Sequence, residues 1–449
     1  MIKRKIDSTL ARFFKDNNHA LLVTGARQVG KTYSIRQFGN TNYECFLELN
    51  FADNPTAAQA IVKATNANDL LMRLSLLSNK PLIAKKTLIF FDEVQECPEI
   101  ITAIKFLVED GRYSYILSGS LLGVDLNNIR SLPVGYMSII EMFPLDYEEF
   151  MTALGIRADI IETIKKCWTQ KTAIDEFVHE KLMQIYRLYL IVGGMPAVVQ
   201  SYLDNSDLYQ VMEVQSSIIE MYKKDISKYD PKHKLYIEEI YELIAPELNA
   251  KNKRFVLKKL NEKAKFSRLE NSFLWLKDAG VAIPVYNVDE PKSPLVLSRT
   301  RNLFKLFLSD VGLLAQQYAD GIQLKLLNGD ESINYGSIYE NFIAQELHAH
   351  GFNLYYFNSK KQGEVDFLIE KNGKVIPLEI KSGKDYERHR ALRNIISNSD
   401  YDIDNAYVFC NSNVSIDGNI TYMPIYMAMF LKKGSSGSIN YTIDLSQII

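Results

Sequence analysis

Short apolar runs alternate with helix-like stretches in the first third of the chain. The runs are rich in β-branched and aromatic residues, as is typical of buried strands, and they lie at 20–24, 43–49, 87–93, 113–120 and 137–142. This alternation predicts a parallel sheet flanked by helices. Ligands bind at the carboxyl ends of the strands in such sheets, so we expect a functional site at that edge.

The middle of the chain has a mainly helical pattern. From about Asp159 the strand-like runs give way to helices with basic interruptions, which predicts a helical lid against the first domain. The segment VGGMP at 192–196 breaks the helical pattern, as either a hinge or a simple interhelical turn would. Between 236 and 310 three helices precede two short β-like runs, VAIPVY and PLVLS, and this order resembles a winged helix.

The pattern changes again from Tyr335. A helix, SIYENFIAQELHAHG, precedes the strands NLYYFN, EVDFLIE and KVIPLEIKSG, and another helix follows. The turn KNG at 371–373 joins two of these strands and predicts a β-hairpin. The C-terminal part is therefore predicted to be a mixed α/β domain.

Length and composition narrow the class of protein. A chain of 449 residues, 47% of them hydrophobic, suggests two to four soluble domains. The formal net charge of −2 produces no overall field that would favour nucleic acid or an anionic membrane. The four cysteines are scattered, which argues against disulfides or a zinc site. Without a signal peptide or an apolar stretch long enough to cross a bilayer, we expect a cytoplasmic protein with no membrane partner.

The loop after the first predicted strand carries a nucleotide-binding pattern. GARQVGKT matches G-x-x-x-x-G-K-[ST] between a strand and a helix, which is the context that this motif requires. Backbone N–H groups of such a loop surround phosphates, while Lys31 would reach the β- and γ-phosphates and Thr32 would ligate Mg²⁺. The predicted nucleotide-binding residues are Gly25, Ala26, Arg27, Gln28, Val29, Gly30, Lys31, Thr32 and Tyr33.

Polar residues at the ends of two other strands extend this prediction. TLIFFDE ends in Asp92, which would hold Mg²⁺ together with Thr32, and in Glu93, which would polarise the attacking water. Ser118 lies near the end of the next strand and could sense the γ-phosphate if that strand lies between the two motif strands. The predicted catalytic residues of this centre are therefore Glu93, Lys31 and Ser118.

Several phrases resemble one known family. GARQVGKT, LIFFDEVQECPE, YILSGS and MFPLDYEEF are similar to the AAA-type ATPase domain of a large bacterial and archaeal family whose members end in a DUF4143 domain. YLIVGGMPAVVQ, FKLFLSDVGLLA and GSIYENFIAQEL extend the resemblance over nearly the whole chain. It implies ATP as the nucleotide and the strand order of the additional-strand ATPases, and it leaves a homo-oligomer open.

The chain departs from this family at one position. Gly135 and Tyr136 stand where the family often has Gly-Arg, and that Arg is a natural arginine finger. Arg130 and Arg112 are the nearby candidates for this role. The departure concerns the rate of ATP hydrolysis, whereas the prediction of ATP binding is unaffected.

The order of acidic residues in the C-terminal part resembles the PD-(D/E)xK nuclease core. Glu340 lies on the helix, Asp366 on the first hairpin strand, and Glu379 and Lys381 on the second. Positions i and i+2 of a strand share a face, so Glu379 and Lys381 project together, and Asp366 can meet Glu379 across the hairpin. This predicts a nuclease centre of these four residues with Mg²⁺ on Asp366 and Glu379. The alternative is an inactive scaffold of the same fold.

A basic stretch at 251–268, KNKRFVLKKLNEKAKFSR, is the candidate nucleic-acid surface. It carries eight cations against the single Glu262, next to a recognition-type helix, and such clusters indicate DNA binding. A solvated helix face or a protein-docking surface is the alternative. The cations are Lys251, Lys253, Arg254, Lys258, Lys259, Lys263, Lys265 and Arg268.

Together the patterns predict an α/β protein of four parts. These are a P-loop AAA-type ATPase domain (1–155), a helical lid (156–230), a winged-helix-like module (231–325) and a nuclease-like mixed α/β domain (326–449). In one reading, Mg-ATP drives engagement of DNA or another nucleic acid. In the other, ATP drives a signalling or assembly switch whose inactive C-terminal domain binds a protein.

Overall fold

The structure is a computed structural model with two β-sheets connected by a helical region. The residues that it describes are 2–119, 135–229, 234–250, 253–256, 266–318, 321–329, 335–434 and 443. Within them, no helix has both the length and the apolar character needed to cross a membrane.

The first sheet has five parallel strands. They are β1 (Ala20–Thr24), β2 (Cys45–Asn50), β3 (Thr87–Asp92), β4 (Ser114–Ser118) and β5 (Met137–Glu141). Their order is β2-β3-β4-β1-β5, and every adjacent pair is parallel. Strand β4 thus lies between the P-loop strand β1 and the Asp92 strand β3, which confirms the P-loop ATPase fold with its additional strand.

Helices cover both faces of this sheet because its strands are buried on both sides. Leu21 and Val23 of β1 belong to the core on one face, and Ala20 and Leu22 belong to the core on the other. This division follows from the alternation of side chains along a strand. The helices are α1 (Lys5–Asp16), α2 (Lys31–Asn42), α3 (Pro55–Val62), α4 (Ala67–Leu77), α5 (Glu99–Asp110) and α6 (Tyr147–Ala153).

A helical region follows, as predicted. Its helices are α7 (Ala158–Gln170), α8 (Glu176–Val192), α9 (Pro196–Asn205), α10 (Leu208–Tyr229), α11 (Lys234–Asn249) and α12 (Phe266–Asp278). The VGGMP segment is the turn between α8 and α9. A Cβ on Gly194 would lie 2.1 Å from the carbonyl oxygen of Leu145, and the Gly194 N–H donates to Asp310 Oδ2 at 2.6 Å. The segment is therefore a tightly packed interhelical turn in this conformation.

The second sheet has eight strands. They are β6 (Ala282–Val288), β7 (Arg299–Leu308), β8 (Tyr355–Ser359), β9 (Gly363–Lys371), β10 (Lys374–Ile380), β11 (Ala406–Cys410), β12 (Ser415–Asp417) and β13 (Ile420–Pro424). The order is β12-β13-β11-β10-β9-β8-β6-β7. The helices of this half are α13 (Val311–Gln316), α14 (Ile322–Asn328), α15 (Gly336–Ala349) and α16 (Arg390–Ile396). The KNG hairpin is confirmed, because β9 and β10 pair antiparallel with Lys371 opposite Lys374.

The strands of the predicted winged-helix-like module belong to this second sheet. Strand β6 contains most of VAIPVY and pairs with both β7 and β8. PLVLS is a 3-10 turn at Leu295–Ser298, so the expectation of a strand there was wrong, and the strand begins only at Arg299. The sheet therefore continues across the predicted boundary between 325 and 326, and the division into four parts remains a prediction.

Candidate functional sites

The predicted phosphate loop connects β1 to α2. Gly25 has φ of +138° and Gly30 has φ of +95°, conformations that favour glycine. A Cβ on Gly25 would also lie 2.1 Å from the carbonyl oxygen of Met142. Helix α2 begins at Lys31, so its free N–H groups open onto the loop, as phosphate binding requires.

The Lys31 ammonium is held inside this loop. It donates hydrogen bonds to the carbonyl oxygens of Gly25 at 3.0 Å and Ala26 at 2.7 Å. Burial lowers the pKa of Lys31 to about 8, although the charges of Glu93 and Asp92 oppose this shift. A bound phosphate would offer the ammonium charged acceptors in place of the carbonyl groups and would favour its protonated form.

Asp92 is the centre of a hydrogen-bond network at the end of β3. Its carboxylate accepts bonds from Thr32 Oγ1 at 3.0 Å, from Asn50 Nδ2 at 3.4 Å and from the Ser118 hydroxyl. Burial is the largest influence on the pKa of Asp92 and raises it, while the bonds from Ser118 and Thr32 lower it. The network brings together three strands and α2 at the carboxyl edge of the sheet.

The Thr32 and Asp92 oxygens fit Mg²⁺ bound together with a nucleotide. A hydroxyl and a carboxylate are the hard oxygen ligands that this ion prefers, and they face each other at 3.0 Å beside the phosphate loop. Bound there, Mg²⁺ would neutralise phosphate charge. Asn50 also contacts Asp92 and was missed, because only its place at the end of β2 hinted at a role.

Glu93 and Ser118 differ in how the structure places them. Glu93 directly follows β3 with φ of +54°, and its side chain accepts a hydrogen bond from Gln95. Ser118 is 1% exposed, and its hydroxyl donates to Asp92. In this conformation Ser118 positions the Asp92 carboxylate, and its role as a phosphate sensor remains a prediction.

Arg112 is not placed to act as an arginine finger within its own chain. It precedes β4, so it lies at the amino-terminal edge of the sheet, opposite the phosphate loop, and its Nε is 2.6 Å from Asp110 Oδ1. The other candidate, Arg130, lies outside the described residues. Tyr136, at the position of the family's Arg, donates its hydroxyl to Glu109 at 2.7 Å.

Arg4, which the sequence patterns did not single out, supports the back of the loop. Its guanidinium donates to the carbonyl oxygens of Val29 at 2.9 Å and Phe143 at 2.8 Å, and its Nε pairs with Glu149 at 3.1 Å. The basic start of the chain was the available signal. Its partners, up to 145 residues away, could not be inferred from local patterns.

The loop also contacts the helical region directly. Arg27 Nη1 lies 2.8 Å from Asp225 Oδ1 on α10, and the Tyr222 hydroxyl of the same helix donates to the Arg27 carbonyl oxygen at 3.2 Å. Gly280, which follows α12, lies so close to the loop that a Cβ there would be 3.0 Å from the Ala26 nitrogen. Two elements of the helical region therefore touch the residues that would hold the phosphates.

The structure brings the four predicted nuclease residues into one cluster. Glu340 of α15 and Glu379 of β10 are buried, the Asp366 side chain of β9 is 15% exposed, and Lys381 follows β10 with its ammonium 2.8 Å from Glu379 Oε1. Asp366 Oδ2 accepts the Ile380 N–H at 2.9 Å, which fixes it beside Glu379. These residues therefore meet as strand parity predicts, and their catalytic role remains a prediction.

Two further lysines occupy this carboxylate cluster. Lys305 of β7 is fully buried, and its Nζ lies 2.8 Å from Glu364 Oε1, 3.5 Å from Glu340 Oε2 and 4.0 Å from Asp366 Oδ1. Lys253 forms an ion pair with the other oxygen of Glu340. The sequence patterns did not single out Lys305 or Glu364, although a lone lysine inside the apolar run LFKLFL is a signal of an internal partner.

The cluster residues do not fit the Mg²⁺ predicted for Asp366 and Glu379. Glu340 Oε1 pairs with Lys253 and Glu340 Oε2 lies 3.5 Å from Lys305, while Asp366 lies 4.0 Å from Lys305 and accepts a backbone N–H. Among the described residues, no group of three or more His, Cys, Asp or Glu side chains is arranged to hold a metal ion. The cations that the carboxylates need are lysines of the chain itself.

The pKa values agree with this arrangement. Burial, reinforced by the charge of Asp366, raises the pKa of Glu379 to about 8, and burial raises that of Asp366 to about 6. Burial opposes the charge on Lys305, but Glu340, Glu364 and Asp366 outweigh it and raise the pKa of this lysine. The three carboxylates therefore favour the charged form of Lys305.

Most of the predicted nucleic-acid surface lies outside the described residues. This applies to Lys251, Lys258, Lys259, Lys263 and Lys265, and the side chain of Arg268 is likewise not described. Lys253 is described, and its ammonium is engaged by Glu340. The assignment of Lys253 to a free basic surface was therefore wrong in this conformation, because its ammonium forms an ion pair with the buried Glu340 carboxylate.

Comparison with family models identifies the first domain. Residues 17–151 match the model of an AAA domain, AAA_14. The amino-terminal part of the chain is an AAA-type ATPase domain. Residues 335–428 of the chain match the expected domain of unknown function DUF4143. A second domain of unknown function, DUF8612, matches 183–324 and so spans the predicted lid and winged-helix-like module.

Other comparisons add only distant likenesses to the AAA domain and its neighbours. None of the curated proteins matches the chain. The Walker-type ATPase of Pyrococcus abyssi is similar over 71% of this chain and 96% of its own, at 13% identity and a TM-score of 0.42. The ORC1 protein of Aeropyrum pernix in complex with DNA is similar over 73% and 91%, at 11% identity and a TM-score of 0.27. With TM-scores below 0.5, neither likeness extends the assignment.

Proposed function

We propose that the protein is a Mg²⁺-dependent ATPase that transmits the state of its nucleotide to the C-terminal half and thereby controls engagement of a nucleic acid. The observation that carries this proposal is the direct contact of the phosphate loop with α10 and with the end of α12. A nucleotide bound by Gly25–Thr32 cannot move the loop without acting on Arg27 and Ala26, which touch these two elements.

The AAA domain supplies the residues for each step of ATP hydrolysis. Lys31 would bind the β- and γ-phosphates, and Thr32 and Asp92 would hold Mg²⁺. Glu93, at the edge of the phosphate site, would accept a proton from the attacking water. Tyr33 is 53% exposed at the start of α2 and lines a cavity of about 350 Å³ with Ile2, which offers an apolar site for the base.

An arginine finger would come from a residue other than Arg112 of the same chain. Its position at the opposite edge of the sheet leaves Arg130 or a second copy of the chain to supply the cation. A homo-oligomer would therefore affect the rate of hydrolysis more than the affinity for ATP.

The proposed transmission follows two routes from the loop. On the first, Arg27 and Asp225 link the loop to α10, which packs against α11 in the helical region. On the second, Gly280 links the loop to α12 and β6. The basic stretch at 251–268 precedes α12 in the chain and ends in its first turn. The second route joins the ATPase centre to the cations that favour a nucleic-acid partner.

A protein partner is the second candidate for what the C-terminal half binds. The specific observation in its favour is the carboxylate cluster, where lysines take the place that a nuclease would give to metal ions. In that case the same nucleotide-dependent movement would control a signalling or assembly contact.

Binding of fluorescein-labelled DNA and RNA tests the proposal. The Glu93→Gln variant should hold ATP without hydrolysing it, so fluorescence anisotropy with and without Mg-ATP would measure coupling at equilibrium. We expect at least a fivefold change in Kd for one of these nucleic acids, within the usual range of coupling between sites. Lys31→Ala, which should not bind ATP, is the control. Absence of binding to every nucleic acid would move the function to a protein partner.

A further inference from the structure

The position of Lys305 points to a role for the carboxylate cluster that differs from metal-dependent catalysis. Lys305 is 0% exposed, and its ammonium has three carboxylates within 4.0 Å: those of Glu364, Glu340 and Asp366. It also lies 5.2 Å from the centre of the Tyr356 ring, which favours a cation at that place. The side chain comes from β7, within the cluster's own sheet, so the charge is a fixed part of the fold.

Cations of the chain itself occupy the cluster. Three lysines, Lys253, Lys305 and Lys381, face four carboxyl groups. A divalent cation bound by Glu340 or Asp366 would have to displace an ammonium that already lies beside these carboxylates, and Lys305, which is 0% exposed, would lose its counter-ions while still buried.

Lys253 connects the cluster to residues 253–256, near the start of the basic stretch. The adjacent Phe255 N–H donates to the Phe304 carbonyl oxygen at 3.0 Å, and their rings stack with centroids 6.0 Å apart. The Val256 N–H donates to Glu247 Oε2 at 3.1 Å. Residues 253–256 are thus fastened along β7, directly beside Lys305.

We infer that the carboxylate cluster is an ion-pair anchor that binds no divalent cation and that fastens residues 253–256, and with them the start of the basic stretch, to the C-terminal sheet. Glu340 forms its ion pair with Lys253 of the same chain, and Lys305 is the counter-ion of Asp366. The inference concerns the cluster alone and holds whichever partner the C-terminal half binds.

Mn²⁺ binding to the full-length protein, measured by electron paramagnetic resonance, tests this inference. Asp92→Asn serves as the background, so that the ATPase centre contributes no strong site. We expect no Mn²⁺ bound by the cluster at micromolar concentrations, and the further change Asp366→Asn should leave the titration unaltered. A bound Mn²⁺ that is lost in Asp366→Asn or Glu379→Gln would overturn the inference.

Replacement of the buried lysine provides an independent measurement. Lys305→Met keeps the length of the side chain but leaves buried carboxylates without their cation, so we expect the melting temperature to fall by roughly 5–10 °C. Mn²⁺ should recover part of this loss, since the ion can enter only when the ammonium is absent. Lys374→Met, which removes the exposed pair with Asp404 on the same sheet, is the matched control. Equal melting temperatures for the two variants would contradict the inference, and if Lys305→Met does not fold, the Mn²⁺ titration decides alone.

Discussion

The guanidinium of Arg27 lies 2.8 Å from the carboxylate of Asp225 and so ties the phosphate loop to helix α10. The Asp225 side chain is 13% exposed, which makes this pair less screened than a surface ion pair. Tyr222, one turn earlier on the same helix, bonds to the Arg27 backbone. Arg27 of the phosphate loop is thus held against the helical region by both its side chain and its main chain.

Asp225→Asn should uncouple helix α10 from the nucleotide. The amide keeps the shape of the carboxylate but loses the charge that attracts Arg27, so ATP should still bind while its effect on nucleic-acid affinity falls by at least half on a logarithmic scale. Anisotropy titrations with and without a non-hydrolysable ATP analogue measure this. Glu48→Gln is the control, because it breaks the Arg36–Glu48 pair of the same domain away from α10. Full coupling in Asp225→Asn would exclude this route.

ATP binding should take up protons near pH 8. The pKa of Lys31 in the nucleotide-free protein is about 8, and phosphate charges would raise it on binding. We expect ATP affinity to fall above pH 8 by up to tenfold per pH unit. Calorimetry in two buffers of different ionisation enthalpy, at pH 7 and pH 8.5, should show proton uptake mainly at the higher pH. Lys31→Ala should lose ATP binding, and an unchanged affinity in that variant would refute the loop assignment.

Glu93→Gln should bind ATP and hydrolyse it about 10²–10⁴ times more slowly, since an amide cannot accept the proton of the attacking water. Asp92→Asn should instead weaken the dependence of ATP binding on Mg²⁺, because it removes the carboxylate that faces Thr32. Steady-state phosphate release and nucleotide titrations over a range of Mg²⁺ concentrations separate the two effects. Wild-type turnover in Glu93→Gln would assign water activation to another residue.

Local sequence was sufficient to predict the parts of the site whose geometry depends on the spacing of residues along the chain. The phosphate loop is eight consecutive residues, and the meeting of Asp92 with Thr32 follows from the convergence of parallel strands at one edge. The meeting of Asp366 with Glu379 follows similarly from strand parity across a tight hairpin. In each case a short stretch or a single pairing rule determines the geometry.

Contacts between distant parts of the chain could not be predicted in this way. Asp225 is 198 residues from Arg27, and Lys253 is 87 residues from Glu340, so no periodicity connects these partners. PLVLS was misjudged because β-branched and apolar residues also suit a short turn, and the strand starts with the polar residues that follow it. Lys305 shows that a charged residue inside an apolar run indicates an internal partner without indicating which one.

Replacement of Lys258, Lys259 and Lys263 by Gln should weaken nucleic-acid binding to a similar degree for all sequences. If these lysines contact phosphates, the slope of log K against log salt should fall by about one unit for each lost contact. Titrations between 50 and 300 mM salt, on the order of the range in which such slopes are measured, provide the values. Lys374→Gln, at the start of β10, is the control. An unchanged slope would indicate that the basic stretch serves a protein partner.

The rate of ATP hydrolysis with and without nucleic acid is the most direct test of the central claim that the AAA domain is coupled to nucleic-acid engagement. Single-stranded DNA, duplex DNA and RNA should be added separately to the wild-type protein, with Glu93→Gln as the blank for contaminating activity. The coupling proposed here predicts that at least one of them stimulates hydrolysis by about fivefold or more. A measurable basal rate that none of the three changes would contradict it.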